Sequence, residues 1–127
     1  MAVIMSQPVV RTSPDRSLQL ALAAAREAED NRGQDVVVLD MREQTKAFDY
    51  FVIATGTSNR QLRAMSDAID DVLQKQFGHR RLSREGYEAS HWILLDYGSI
   101  VVHLFDEATR DFYRLEELWG EAARVER

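Results

Sequence analysis

The residues of this 127-residue chain that could do chemistry begin with Gly56-Thr57-Ser58-Asn59, where a strand pattern gives way to a helical one. Free backbone N–H groups and the helix dipole at such a turn could hold a phosphate. The phosphate-loop pattern needs a further glycine and a Lys followed by Ser or Thr, and the dinucleotide fingerprint needs three spaced glycines; neither pattern is present. A plain helix cap is the reading these residues favour. The histidines His79, His91 and His103 have no partner at metal-ligand spacing on a common helix, and no Gly-x-Ser-x-Gly elbow presents a nucleophile. With no cysteine in the chain, thiolate zinc sites, disulfides and cysteine nucleophiles are excluded.

A more specific enzymatic reading is nucleotidyl transfer, in which a Gly-Ser type turn after a strand is followed by two carboxylates that hold a divalent metal. At the expected distance the chain offers Asp67, Asp70 and Asp71. Helical spacing puts them inside a helix, with Asp67 and Asp71 on its polar face, where they read as a solvated surface. A metal-dependent nucleotidyltransferase, or the relic of one, is the alternative function. The basic cluster His79, Arg80, Arg81 and Arg84, following Lys75, reads as a solvated loop, with a phosphate or acidic partner as the other possibility.

The segment His91 to Phe105 is more informative. Asp96-Tyr97-Gly98-Ser99 between two apolar runs is too short for anything but a hairpin. With Tyr97-Gly98 as a two-residue turn, Asp96 faces Ser99, Leu94 faces Val101 and Trp92 faces His103, so all six side chains share one face. Tyr is not favoured at the positive φ of such a turn, and a bulged variant would shift the pairing. Trp92 is then either a core residue satisfied by His103 or, with Tyr97, an aromatic anchor of a protein interface.

The elements that position these residues follow from periodicity. Ser13-Pro14 is a cap followed by a residue suited to the first helical position, and Leu18, Leu22 and Ala25 predict a helix over Pro14 to Arg32, stopped at Gly33. Val36 to Leu39 and Tyr50 to Ala54 have the β-branched, two-sided apolar character of inner strands. Ser58 and Gln61 stand at capping-box spacing, and Leu62, Met65, Ile69, Val72 and Phe77 form one stripe of a second helix that ends at Gly78. A polar extended segment at Leu82 to Glu85 precedes strands at His91 to Leu95 and Ile100 to Phe105. Ala108, Phe112, Leu115 and Trp119 predict a last helix over Asp106 to Trp119, stopped at Gly120. The fold class is α/β (α+β), a mixed sheet of about five strands flanked by helices. Residues 13–120 form a single domain, between an N-terminal tail of residues 1–12 and a C-terminal tail of residues 121–127.

Hydrophobic residues are 45% and charged residues 29% of the chain, a balance that argues against disorder, and no apolar run approaches the about 20 residues of a membrane helix. No membrane partner is expected. The absence of an Arg-rich or apolar leader makes a bacterial cytoplasm the expected location. A net charge of -5 gives no whole-molecule attraction to nucleic acid, so contact with a ribonucleoprotein would be with its protein.

Several dispersed motifs agree in order over residues 17–120. They are Val38-Leu39-Asp40, the run from Asp49 to Gln61, Glu85-Gly86, Trp92 to Gly98, Val101 to Phe105, and finally Arg110, Phe112-Tyr113, Leu115-Glu116 and Leu118-Trp119. Together they resemble the ribosomal silencing factor, or Iojap-like, family. The resemblance implies a nucleotidyltransferase-like topology without catalysis and without a cofactor. It implies binding to the large ribosomal subunit through the protein at its subunit-joining face, the fourteenth in the usual naming, with joining of the small subunit blocked. It places the partner-binding surface on Trp92, Leu94, Asp96, Tyr97, Gly98 and His103, and implies that the isolated protein pairs as a homodimer.

Overall fold

The computed structural model describes residues 14–88 and 91–127. The expected tail of residues 1–12 and the Ser13 cap lie outside the described residues. Two long helices, α1 (Pro14–Asp30) and α2 (Asn59–Phe77), and two short ones, α3 (Glu107–Tyr113) and α4 (Leu115–Leu118), accompany six strands. These are β1 (Gln34–Asp40), β2 (Tyr50–Gly56), β3 (Ser83–Glu85), β4 (Trp92–Asp96), β5 (Ile100–Asp106) and β6 (Ala123–Arg124). They form one sheet in the order β3-β4-β5-β2-β1-β6. β2 and β5 are parallel and every other neighbouring pair is antiparallel. The sheet is therefore mixed, as expected, with one strand more than the about five read from the sequence.

Strand alternation sends successive side chains to opposite sides of the sheet, which gives two cores. On one side α1 and α2 cover Val38, Val52, Ala54, Ile93, Leu95, Val102 and Leu104. α1 approaches closely because it presents Ala21, Ala24, Ala25 and Ala28, all fully buried, with Leu20. Leu18 and Leu22, expected on the buried stripe, sit half-exposed at its margins. α2 buries Leu62, Met65, Ile69 and Leu73, while Val72 and Phe77 are half-buried.

The caps of α2 explain its ends. Ser58 Oγ accepts from Gln61 N at 3.1 Å, the expected N-cap. The Gln61 side chain does not return to Ser58. Its Oε1 accepts from Thr57 N at 2.6 Å, and its Nε2 donates to the carbonyls of Asn31 and Arg32, which ties the start of α2 to the end of α1. Gly78 closes the helix at φ 62 and donates to Gln74 O.

The second face of the sheet is covered on one half only. Leu39, Met41, Phe51, Ile53 and Phe105 form its core, packed against Phe48, Leu115, Trp119 and Ala122. The expected single helix over Asp106 to Trp119 is broken. Arg114, in the left-handed region at φ 48, ends α3 and begins α4. The break turns Leu115 and Trp119 onto the sheet and leaves Phe112 79% exposed, so the expected apolar stripe is not continuous. Residues 121–127 do not form a free tail: Ala123 and Arg124 pair with Asp40 and Leu39, Val125 N donates to Val38 O, and Arg127 pairs with Glu29 at 2.8 Å.

Candidate protein-docking face

The hairpin of β4 and β5 carries the residues singled out from the sequence, in a different register. Trp92 pairs with Phe105, Leu94 with His103 and Asp96 with Val101. Tyr97 N donates to Ile100 O at 3.0 Å, so the turn residues are Gly98 and Ser99 rather than Tyr97 and Gly98. Glycine supplies the positive φ of 87 at the first turn position, the chemistry that two-residue hairpin turns select. Asp96 Oδ1 accepts from Gly98 N at 2.8 Å and holds the turn.

This one-residue slip of the turn keeps parity, so Trp92, Leu94, Asp96, Val101 and His103 still share a face. Ser99 leaves that face for the turn, and Phe105 joins it. Tyr97 requires a correction. It lies on the opposite face with Ile93 and Leu95, is 2% exposed, and donates its hydroxyl to Asp70 Oδ1 at 2.9 Å. A buried side chain beneath α2 is no interface anchor; its backbone carbonyl is engaged too, by His79 Nε2 at 2.9 Å.

The face holding Trp92 is the half that α3 and α4 leave uncovered. Trp92, Leu94, Asp96 and Val101 are half-exposed there, and Glu85, paired with Leu94, adds an exposed carboxylate. Trp92 touches Phe105 and Tyr113, each at 4.8 Å between ring centroids, yet keeps exposed surface. Its indole donates Nε1–H to His103 Nδ1 at 3.0 Å.

His103 itself is 5% exposed, so it supports the face from beneath. Phe51 stands edge-on to its ring at 4.6 Å and Phe105 is stacked with it at 6.0 Å. Because the indole can only donate, Nδ1 is unprotonated and the neutral ring carries its proton on Nε2, which has no hydrogen-bond partner among the described residues. Burial pushes the imidazole down from 6.5 to about 4. Between those two values the unfolded chain holds a proton that the folded one does not, so stability falls as pH is lowered through that window. The free energy of unfolding read from urea titrations should therefore decline from pH 7 toward pH 4, by up to about 3 kcal/mol from this group. His103→Gln should flatten the decline above pH 5; an unchanged slope would show that the imidazole is not the group responsible.

The carboxylates of the alternative enzymatic reading do not converge. Asp67 accepts from Arg84 Nη1 at 3.1 Å and from the Tyr87 hydroxyl at 2.8 Å, and Asp70 binds Arg81 at 2.6 Å as well as Tyr97. Asp71 pairs with Lys75 at 3.0 Å. Among the described residues no group of three or more His, Cys, Asp or Glu could hold a metal ion. Asp67 and Asp70 fasten the edge strand β3 and its flanks to α2, and they neutralise Arg84 and Arg81 of the basic cluster. Arg84 also lies over the Tyr87 ring at 3.7 Å.

Sequence reasoning missed Arg110 as a structural centre. It is 9% exposed, donates from Nη1 to Thr55 Oγ1 at 2.7 Å, and grips Glu116 through Nε at 3.3 Å and Nη2 at 2.5 Å. The clamp fixes α3 to α4 and to the end of β2, and so holds Tyr113 against Trp92. Its only sequence signal was the family motif that contains it.

A family profile described as "Ribosomal silencing factor during starvation" matches residues 14–127. The chain is 39% identical over 109 residues to a ribosomal silencing factor of Halalkalibacterium halodurans, covering 86% of this chain and 90% of that one. It is 37% identical over 92 residues to the mouse protein named "Mitochondrial assembly of ribosomal large subunit protein 1", covering 68% of this chain and 39% of the other. The crystal structure of a Chromobacterium violaceum protein, 37% identical, superposes with a TM-score of 0.75 over 86% of this chain and 88% of that one. A matching profile over nearly the whole described chain, relatives of this identity and a shared mixed sheet place the chain in the ribosomal silencing factor family.

Proposed function

We propose that this protein represses translation by docking on the large ribosomal subunit, through a protein of its joining face, and so keeping the small subunit off. The observation that carries the reading is the uncovered half of the sheet, with Trp92 and Leu94 at its centre and Asp96 and Glu85 beside them. Half-exposed aromatic and aliphatic groups flanked by carboxylates fit a basic protein surface better than they fit nucleic acid. The fourteenth large-subunit protein is the partner that the family resemblance names. Trp92 and Leu94 make the contact, His103 holds the indole in place, and Gly98 and Asp96 shape the turn beside it.

The mechanism is occupancy. A ligand that binds only the free subunit withdraws it from the joining equilibrium by mass action, so no bond is made or broken. Such action belongs in the compartment where ribosomes assemble, the cytoplasm of a bacterium. Among the described residues no helix is long and apolar enough to cross a membrane.

Sedimentation of the purified chain with dissociated subunits tests the reading. The chain should travel with the large subunit at micromolar concentration and should reduce the light scattering that accompanies subunit joining. Leu94→Arg puts a charge on the half-exposed face without opening a core cavity, and should weaken binding at least about tenfold with the melting temperature little changed. Absence of the wild-type chain from the large-subunit fraction, or undiminished binding by Leu94→Arg, would overturn it.

A further inference from the structure

The apolar surface does not stop at the hairpin. Tyr113 packs against Trp92, and Phe112 stands at 85° to Tyr113 with ring centroids 5.0 Å apart. Phe112 is 79% exposed and Tyr113 49%. Leu94, Trp92, Tyr113 and Phe112 thus run in one row from β4, next to the sheet edge, onto α3. Large aromatic surface held in water is unfavourable, and covering it with a partner releases that free energy.

We propose that Phe112 and Tyr113 form a second anchor for the same partner, a basic protein surface of the large subunit that carries an exposed apolar side chain. This rests on the docking reading above and extends it. Three observations favour that occupant. The ledge is continuous with the hairpin face through the Trp92–Tyr113 contact. The unmatched charges of α3 itself are negative: Glu107 and Asp111 are exposed and make no ion pair among the described residues, whereas His91, Arg110 and Arg114 are matched by Asp106, Glu116 and Glu117, and the exposed Arg124 of β6, which lines a groove with Glu107 and Asp111, offsets only one of the two. A second copy of the chain would bring this acidic rim against an identical one, and like charges brought together disfavour that occupant. The ledge is also preorganised, since the Arg110 clamp holds α3 before any partner arrives, which reduces the ordering entropy lost on binding.

The test uses the full chain and purified large subunits in a fluorescence titration, with Phe112→Ser, Phe112→Leu and Leu94→Arg alongside wild type. At so exposed a position Phe112→Ser should leave the far-UV circular dichroism and melting temperature unchanged. It should weaken binding roughly fivefold or more, and Phe112→Leu should recover part of the loss. Wild-type affinity in Phe112→Ser while Leu94→Arg is impaired would overturn the ledge and leave the docking reading intact. No binding by wild type would instead remove the docking reading on which the ledge depends. If Phe112→Ser shifted only a monomer–dimer equilibrium in analytical ultracentrifugation, the ledge would belong to a second copy and the proposal would fail.

Discussion

Tyr97→Ala should lower the free energy of unfolding by about 3–5 kcal/mol, the range for emptying the space of a large buried ring. Tyr97 is among the largest fully buried side chains, wedged between β4 and α2 with Ile93, Leu95 and Ile100 in the same core. Its hydroxyl donates to Asp70, whose other oxygen holds Arg81, so the ring also links the hairpin tip to the segment leading into β3. Burial, then the Asp70 charge and hydrogen bond, push the phenol far above its ordinary value, so it stays protonated and donates throughout the working range. Tyr97→Phe removes only the donor and should cost about 1–2 kcal/mol, because Asp70 keeps Arg81 as a partner. Urea denaturation of both variants separates the two effects. A loss below about 1 kcal/mol in Tyr97→Ala would contradict the placement of this ring in the core, since no cavity of that kind forms so cheaply. Binding to the large subunit by folded Tyr97→Phe should match wild type, which distinguishes a core tyrosine from an interface anchor.

The misplacement of Tyr97 shows what the sequence could and could not reveal. Strand side chains alternate with period 2, so moving the turn by one residue changes each cross-strand partner by two and leaves the faces unmixed. Trp92, Leu94, Asp96 and His103 were therefore legible as one face although none of their expected partners was right. Tyr97 was not, because its side depends on whether it ends the strand or begins the turn. Glycine at positive φ settles that choice in favour of Gly98-Ser99.

The main elements were legible because each carries a local signal. Gly78 ends α2, Ser58 begins it, and β2 is apolar from Tyr50 to Ala54 and buried throughout. The C-terminal region was not, for a different reason. Arg114 takes a left-handed conformation without being glycine, and two residues of β6 have no periodicity to read. What holds that region is tertiary: Thr55 on β2 meets Arg110 on α3, 55 residues apart. The His103 imidazole tells the same story, since its depth under Trp92 and Phe51 comes from three strands at once.

Arg110→Ala should be the most damaging change outside the hydrophobic core, destabilising the domain by about 3 kcal/mol, because removal of one partner leaves Glu116 and Thr55 with desolvated and unmatched groups. Burial pushes the Glu116 carboxyl up, but the Arg110 hydrogen bonds and charge outweigh it and hold the group below its ordinary value. A carboxylate depressed in this way contributes stability that is present above its unfolded value of 4.5 and is lost as pH falls through the folded one. Arg110→Ala should therefore shrink the wild-type loss of stability below pH 4.5, whereas most of the His103 window lies above that value. Urea titrations at pH 7, 5 and 3.5 read both. Glu116→Leu combined with Arg110→Met should recover much of the stability, since an apolar pair leaves no charge stranded. Should Arg110→Ala cost less than about 1 kcal/mol at pH 7, the clamp does not hold α3. If it does hold α3, the folded fraction of Arg110→Ala should also bind the large subunit more weakly than Phe112→Ser, because Tyr113 and Phe112 are then released from Trp92 together.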